Sequence, residues 1–190
     1  MSDESMDEPA ADDELLARSL LRPQTFGELY ERHATAVFRF IARRAGPSAA
    51  EDLLGDVFVA ALEARVRYRP HSSGSALPWL YGISGNVVRA HLRRRRPDAL
   101  VDTDVGVDWH AVDERLDARA QRDRLRQALE ALSPAEREAF LLVAWEGLSA
   151  TEAAAALGVA PTVVRTRLSR ARQRARTVLT TASTASTPSC

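Results

Sequence analysis

Hydrophobic residues recur at helical spacing along most of this chain, and alternating strand patterns are missing. We therefore expect an all-α fold, with helices at about residues 26–44 and 49–65, around Trp79, from about 119, over 134–145 and from Pro161. Each of the first four helices has an expected inner face of apolar residues. The first two faces are Phe26, Leu29, Tyr30, Val37 and Ile41 in 26–44, and Leu53, Leu54, Val57, Phe58, Ala61 and Leu62 in 49–65. The next two are Trp79, Leu80, Ile83, Val87 and Ala90 in the helix around Trp79, and Leu125, Ala128, Leu129 and Leu132 in the helix from about 119.

Four serine or threonine residues stand three positions before a glutamate and are followed by a helical apolar pattern, which predicts a helix-capping box at each. The predicted boxes are Thr25 with Glu28, Ser48 with Glu51, Ser133 with Glu136, and Ser149 with Glu152. The helix that follows Ser149 ends at Leu157 and Gly158, and the next one starts near Pro161. Two short helices around a tight turn predict a helix-turn-helix.

The second helix of this pair carries six arginines and no acidic residue between 161 and 176. Its apolar stripe consists of Val164, Leu168, Ala171, Ala175 and Val178, and its opposite polar stripe of Thr162, Thr166, Ser169 and Gln173. The polar stripe is flanked by Arg165, Arg172 and Arg176 on one side and by Arg167, Arg170 and Arg174 on the other. Uncharged hydrogen-bonding groups between two rows of arginine suit a DNA major groove. A solvated helix is the alternative, but such faces usually mix both signs of charge.

The net charge of zero hides a segmental pattern. Residues 1–22 contain seven acidic residues and two arginines, and residues 23–97 contain six acidic residues and twelve arginines. Residues 98–118 contain seven acidic residues and one arginine, and residues 119–190 contain six acidic residues and eleven arginines. The resulting charges are −5, +6, −6 and +5. Two basic modules joined by an acidic segment predict two separate contacts with a polyanion.

Cysteine and histidine usage argues against a metal site or an internal disulfide. Cys190 is the lone cysteine, and the four histidines show no metal-ligand spacing and no recognisable catalytic motif. No apolar run reaches the roughly 20 residues that span a bilayer, and the N-terminus is acidic. We expect a cytoplasmic, non-enzymatic protein without a cofactor or membrane insertion.

Several motifs, taken in order, resemble those of bacterial RNA polymerase sigma factors of the extracytoplasmic-function group. The likeness covers roughly residues 24–177. It includes Ala50 to Phe58, Trp79 to Ile83 with Asn86 and the arginine run that follows, Leu132 to Glu138, Trp145 to Ser149, Leu157 to Val159 and Arg165 to Leu168. Each motif alone is weak, but the set in this order is specific.

The resemblance implies an acidic stripe that docks on the clamp helices of core RNA polymerase. Asp52, Asp56 and Glu63 share the outer face of the second predicted helix, and carboxylates suit a basic coiled coil. A solvated helix face is the alternative. Gly55 departs from the family pattern, which commonly has a polar residue there.

The resemblance also implies a surface for the minus-ten promoter element. The loop from Arg67 to Ser75 corresponds to the family segment that pockets an unstacked base, whose extrusion costs a few kcal/mol. The implied DNA-binding residues are Arg67, Asn86, Arg89, Arg93 and Arg96. Trp79 lies on the apolar stripe, so a place in the hydrophobic core is favoured over stacking on a DNA base. For Asn86, a buried and locally partnered amide is the competing interpretation.

In the family, the recognition helix lies in the major groove of the minus-thirty-five element, and the preceding helices meet the polymerase flap. The base-edge candidates are Thr162, Arg165, Thr166, Ser169 and Arg170, and the phosphate candidates are Arg167, Arg172 and Arg174. Val163 stands where many relatives have threonine, so the promoter preference is left open.

The implied architecture is two small helical domains, sigma-two-like and sigma-four-like, joined by a flexible acidic linker. Its segments are a disordered acidic tail at 1–22, a core-polymerase and minus-ten domain at 23–97, the linker at 98–118, a helix-turn-helix domain at 119–178, and a disordered tail at 179–190. In the family, the linker threads channels that RNA otherwise occupies; a solvated spacer is the alternative. Control could come from an anti-sigma protein or from expression level.

Two other functions compete with a promoter-specificity subunit. A stand-alone helix-turn-helix regulator, dimerising through its N-terminal domain, would need a continuous apolar outer seam within residues 48–97. A nucleic-acid hydrolase would need clustered carboxylates or metal ligands on a basic surface. The acidic outer face of the second predicted helix favours the sigma factor over the regulator. The acidic residues cluster away from the arginines, which argues against the hydrolase.

Overall fold

Helices account for the regular structure throughout the part of the chain that the computed structural model describes, which is residues 10–71, 73–95 and 119–184. Eight α-helices and no β-strand occur there, which confirms the all-α prediction. They are α1 (Asp12–Ser19), α2 (Phe26–Ala45), α3 (Pro47–Ala64), α4 (Leu77–Arg95), α5 (Arg119–Glu130), α6 (Pro134–Ala144), α7 (Ala150–Leu157) and α8 (Pro161–Thr184). The acidic linker at 98–118 lies outside the described residues, as do Arg96 and Cys190.

Helices α2, α3 and α4 pack around one apolar centre. The predicted inner faces of α2 and α3 are largely confirmed, because Leu29, Val37 and Val57 are fully buried. Tyr30 is an exception: its side chain is 43% exposed, and its ring packs edge-on against Phe58 with 4.7 Å between ring centroids. Its hydroxyl end can therefore remain in water while the ring covers the core.

A single glycine joins α2 to α3. Gly46 has φ 86° and ψ 155°, so it ends α2 and also precedes the first residue of α3. Pro47 occupies the first turn of α3, where its missing N–H removes no helical hydrogen bond. Only a residue that tolerates positive φ fits this corner. The two helices therefore meet without an intervening loop.

Helix α4 buries a different stripe from the predicted one. Its buried residues include Leu80, Tyr81, Ser84, Gly85 and Val88, whereas the predicted Trp79, Ile83, Val87 and Ala90 are only partly buried. The offset arises because α4 contacts α2 and α3 on one side and α7 on another. Periodicity in one helix does not reveal how many neighbours it has.

The acidic segment at 1–22, expected to be disordered, contains helix α1. Leu15 and Leu16 are 1% and 2% exposed, and α1 packs against α2. The burial of these two leucines stabilises a segment whose composition alone indicates disorder. Residues 1–9 lie outside the described part of the chain.

A buried carboxylate ties α1 to the rest of the domain. Asp12 is 3% exposed, and its Oδ1 accepts a hydrogen bond from Arg32 at 2.6 Å. Its Oδ2 lies 2.7 Å from His33 Nε2 and accepts the backbone N–H of Ala76 at 2.8 Å. Burial by itself raises the pKa of Asp12, but the contacts with His33, Ala76 and Arg32 outweigh it and lower the pKa to about 2.

Helices α5 to α8 form the second domain. The apolar stripe of α8 is confirmed, with Val164, Leu168 and Ala171 buried against α5, α6 and α7. The Arg137 guanidinium of α6 donates hydrogen bonds to the carbonyls of Leu129 and Leu132, which satisfies the end of α5. Helix α8 continues to Thr184, so the segment from 179, expected to be disordered, is helical at its start.

Two of the four predicted capping boxes are present. Ser133 and Ser149 each accept a hydrogen bond from the backbone of the glutamate three residues on, and each glutamate carboxylate accepts the backbone N–H of its serine. The prediction is wrong for Thr25 and Ser48. Thr25 ends a 3₁₀ turn (Pro23–Thr25) with helical φ and ψ, and α3 begins at Pro47, one residue before Ser48.

The two domains are in contact with each other. Most of their buried apolar side chains form one cluster, which includes Tyr81 and Val88 from the first domain and Leu142, Leu148 and Ala153 from the second. A smaller cluster of Leu129, Leu132 and Ala171 lies within the second domain. Helix α4 lies directly against α7 at this junction. Among the described helices, none is both long and apolar enough to cross a membrane.

The lowered pKa of Asp12 predicts acid-dependent stability. A carboxylate whose pKa falls from 3.8 to about 2 on folding stabilises the native state above about pH 4, and this contribution disappears as the pH drops through about 2. We expect the advantage of the wild type over Asp12→Asn in free energy of unfolding to shrink by about 2 kcal/mol between pH 5 and pH 2. Urea denaturation at a series of pH values measures it, and parallel curves would contradict it.

Candidate nucleic-acid interface

Helix α8 presents its polar stripe and most of its arginines to solvent. The buried apolar stripe fixes its rotation, so that the opposite side is exposed. The exposed candidates are Thr162, Arg165, Thr166, Ser169, Arg170, Arg172 and Arg174, and Arg167 is partly buried. The Thr166 hydroxyl donates to the Thr162 carbonyl at 2.9 Å. The predicted minus-thirty-five residues therefore share one accessible surface, apart from the partial burial of Arg167.

The preceding turn holds α8 in place. The Ser149 capping box starts α7, and Gly158, with φ 64° and ψ 34°, ends it in the left-handed conformation. Helix α8 begins two residues after Val159, and Val164 packs its first turns onto the core. This is the helix-turn-helix geometry that exposes one face of the second helix.

One arginine of this surface, although exposed, forms an ion pair within the protein. Arg174 Nη1 lies 3.4 Å from the carboxylate of Glu136, the buried capping residue of α6. Burial raises the pKa of Glu136, but hydrogen bonds with Ser133 and the charges of Arg174 and Arg170 give a net lowering. Part of the positive charge of Arg174 is therefore neutralised within the protein. The sequence pattern places Arg174 in a row of phosphate candidates and does not reveal this pairing.

The segment between α3 and α4 is organised by aromatic and hydroxyl groups. We use "the 68–76 loop" for residues Tyr68 to Ala76, of which Ser72 is not among the described residues. The Tyr68 ring packs edge-on against Trp79, with 5.1 Å between centroids, and Gly74 has φ 67°. The Tyr68 hydroxyl donates to Asp13 Oδ1 at 2.5 Å. Burial, followed by the Asp13 contact, raises the pKa of Tyr68.

The minus-ten candidates do not form one uniform basic face. Arg67 and Arg93 are exposed, whereas Arg89 is partly buried and its guanidinium covers Gly85. Arg89 Nη2 donates to Asn86 Oδ1 at 2.5 Å, so Asn86 has a local partner although it is exposed. Gly85, beside Asn86 in the same helix, is buried. Arg96 lies outside the described residues.

The acidic stripe of α3 is exposed along its whole length. Asp52, Asp56 and Glu63 all lie on the solvent side, and a Cβ at Gly55 would meet no atom within 4 Å. Val59, which falls between Asp56 and Glu63 on this side, is 58% exposed. The stripe expected from the sequence contained only the three carboxylates, although Val59 stands at a matching helical position. Val59 therefore adds one apolar side chain to the exposed acidic stripe.

A set of charged residues that the sequence does not single out joins the two domains. Glu146, with its side chain 4% exposed, follows α6, and its carboxylate lies 2.5 Å from Arg43 Nη2 and 3.3 Å from Arg44 Nη1. Burial raises the pKa of Tyr81, and the nearby Glu146, which is also its hydrogen-bond partner, raises it further. No local sequence signal pairs residues more than one hundred positions apart.

Comparisons with known proteins agree with this division into two domains. The family model described as Sigma-70 region 2 matches residues 29–97, and that described as Sigma-70, region 4 matches residues 122–174. The chain is 36% identical over 157 residues to the RNA polymerase sigma factor CarQ of Myxococcus xanthus, covering 81% of this chain and 88% of CarQ.

Two further relatives extend the likeness to nearly the whole chain. The sigma factor NccH of Alcaligenes xylosoxydans xylosoxydans is 32% identical over 178 residues, covering 88% of this chain and 94% of NccH. The structure of CnrH in complex with the cytosolic domain of CnrY matches with a TM-score of 0.61 and 27% identity, covering 90% of this chain and 99% of CnrH.

The chain therefore belongs to the extracytoplasmic-function group of RNA polymerase sigma factors. Its function is that of a promoter-specificity subunit of RNA polymerase, which confirms the first of the functions considered from sequence. A stand-alone dimerising regulator is not favoured. This family consists of non-catalytic transcription initiation factors.

Proposed function

We propose that the protein binds core RNA polymerase through the acidic stripe of α3, formed by Asp52, Asp56 and Glu63 with Val59 between them. The observation that carries this proposal is the exposure of three carboxylates on one side of a helix whose other side is buried. Such a stripe complements the basic clamp helices of the polymerase in charge. The apolar side chain of Val59 supplies contact area that the carboxylates lack.

The second domain supplies minus-thirty-five recognition under this proposal. Helix α8 enters the major groove, with base edges facing Thr162, Arg165, Thr166, Ser169 and Arg170. Arg167 and Arg172 contact phosphates, and Arg174 does so less strongly because Glu136 already pairs with it. The helices that precede α8 meet the polymerase flap.

The first domain supplies recognition and opening of the minus-ten element. The 68–76 loop receives an unstacked base, and Arg67, Arg93 and Arg96 attract the backbone of the opened strand. Asn86 and Arg89 act as a hydrogen-bonded pair, because their side chains already contact each other. Single-stranded nucleic acid is commonly bound by such a combination of basic and aromatic groups.

The remaining assignments follow the family. We propose that the protein acts in the cytoplasm together with RNA polymerase, needs no cofactor and catalyses no reaction itself. Because CnrH was solved with the cytosolic domain of CnrY, we propose that an anti-sigma protein binds this chain too. The domain boundaries at 23–97 and 119–178 and the linker role of 98–118 are part of the same proposal.

Charge reversal on α3 tests the docking assignment. The double variant Asp52→Arg with Asp56→Arg should lose binding to core polymerase, because two cations would then face the basic clamp helices. Co-purification with core polymerase measures binding, and circular dichroism checks that the variant remains helical. Mapping of transcript starts on genomic DNA with the reconstituted enzyme reports the promoter sequences used by the wild type.

The matched control is Glu28→Arg with Glu31→Arg, which changes the charge equally at two exposed positions of α2. This control should still bind core polymerase. Unchanged co-purification of the α3 variant would refute the docking assignment. Equal loss in both variants would show that overall charge, and not the α3 stripe, governs binding.

Removal of single arginines tests the phosphate contacts of α8. Arg172→Ala should weaken binding to all minus-thirty-five sequences and lower the slope of log affinity against log salt by roughly one. Arg174→Ala should lower the slope by less, because its guanidinium lies against Glu136. Fluorescence anisotropy at several salt concentrations measures both slopes. A loss confined to particular sequences would place Arg172 on a base instead.

A further inference from the structure

The first two residues of helix α1 contact the 68–76 loop at both ends of the loop. At the start of the loop, the Tyr68 hydroxyl donates to Asp13. At its end, the backbone N–H of Ala76 donates to Asp12 at 2.8 Å. Consecutive residues of α1 therefore hold two points of the chain that are eight residues apart.

The Asp12 carboxylate is itself fixed by helix α2. Arg32 and His33 of α2 both contact it, at 2.6 and 2.7 Å, and it is nearly inaccessible to water. A charge-assisted hydrogen bond that a backbone N–H donates to a buried carboxylate is stronger than one between neutral groups. The anchor for the loop is thus part of the folded core.

We propose that Asp12 and Asp13 are positioning residues, which fix the shape of the 68–76 loop so that it can select a base of the minus-ten element. This rests on the proposed function of that loop. A loop that must receive an extruded base gains selectivity when its backbone is already in place, because no binding energy is then spent on ordering it. The acidic residues of α1 therefore act through the loop and need not touch DNA.

Two conservative variants test this role. Tyr68→Phe keeps the ring against Trp79 and removes only the hydroxyl, and Asp12→Asn removes the charge. The polymerase containing each variant is measured for affinity to a single-stranded minus-ten oligonucleotide and to the same oligonucleotide with each base replaced. Both variants should lower the preference for the matched base by about fivefold, which corresponds to one lost hydrogen bond.

The control is Ser19→Ala. Ser19 is buried in the segment ending α1, where its hydroxyl donates to the Leu16 carbonyl at 2.7 Å without touching the loop. This variant should keep the base preference despite a comparable loss of stability. Equal base preference in all four proteins would overturn the positioning role. Absence of any base preference in the wild type would instead overturn the proposed function of the loop.

Discussion

The burial of apolar side chains in one cluster shared by both domains is the constraint on which the rest of the structure depends. Each helix can turn only one or two stripes toward this cluster, so the remaining stripes must face water. In α3 the outward stripe is acidic, and in α8 it is basic. Packing of uncharged groups therefore determines where the charged surfaces of this sigma factor lie and keeps the two signs on different helices.

The amino-acid sequence is sufficient to predict those features that depend on a single helix. The rotation of α8 follows from Val164, Leu168 and Ala171, and the caps at Ser133 and Ser149 follow from their glutamates. The same local pattern misleads at Thr25 and Ser48, because a 3₁₀ turn and Pro47 set the starts of α2 and α3 instead. A capping pattern works only where the backbone before it is extended.

Features that depend on contacts between distant segments could not be predicted. Acidic composition indicates disorder for the N-terminus, yet Leu15, Leu16 and the buried Asp12 order α1 against α2. The inner face of α4 was offset because α7 occupies part of its surface, which periodicity does not encode. The pairing of Arg174 with Glu136 likewise depends on the packing of α8 on α6. In each case packing against a distant segment, and not the local sequence pattern, determines the observed structure.

The corner at Gly46 connects these surfaces mechanically. Arg43 and Arg44 end α2, and α3, the helix proposed to dock on polymerase, starts directly after Gly46. Because a single residue separates the two helices, the direction of α3 is tied to the place where these two arginines pair with Glu146 across the domain boundary. The proposed docking surface and the junction between the domains therefore share one rigid corner of the backbone.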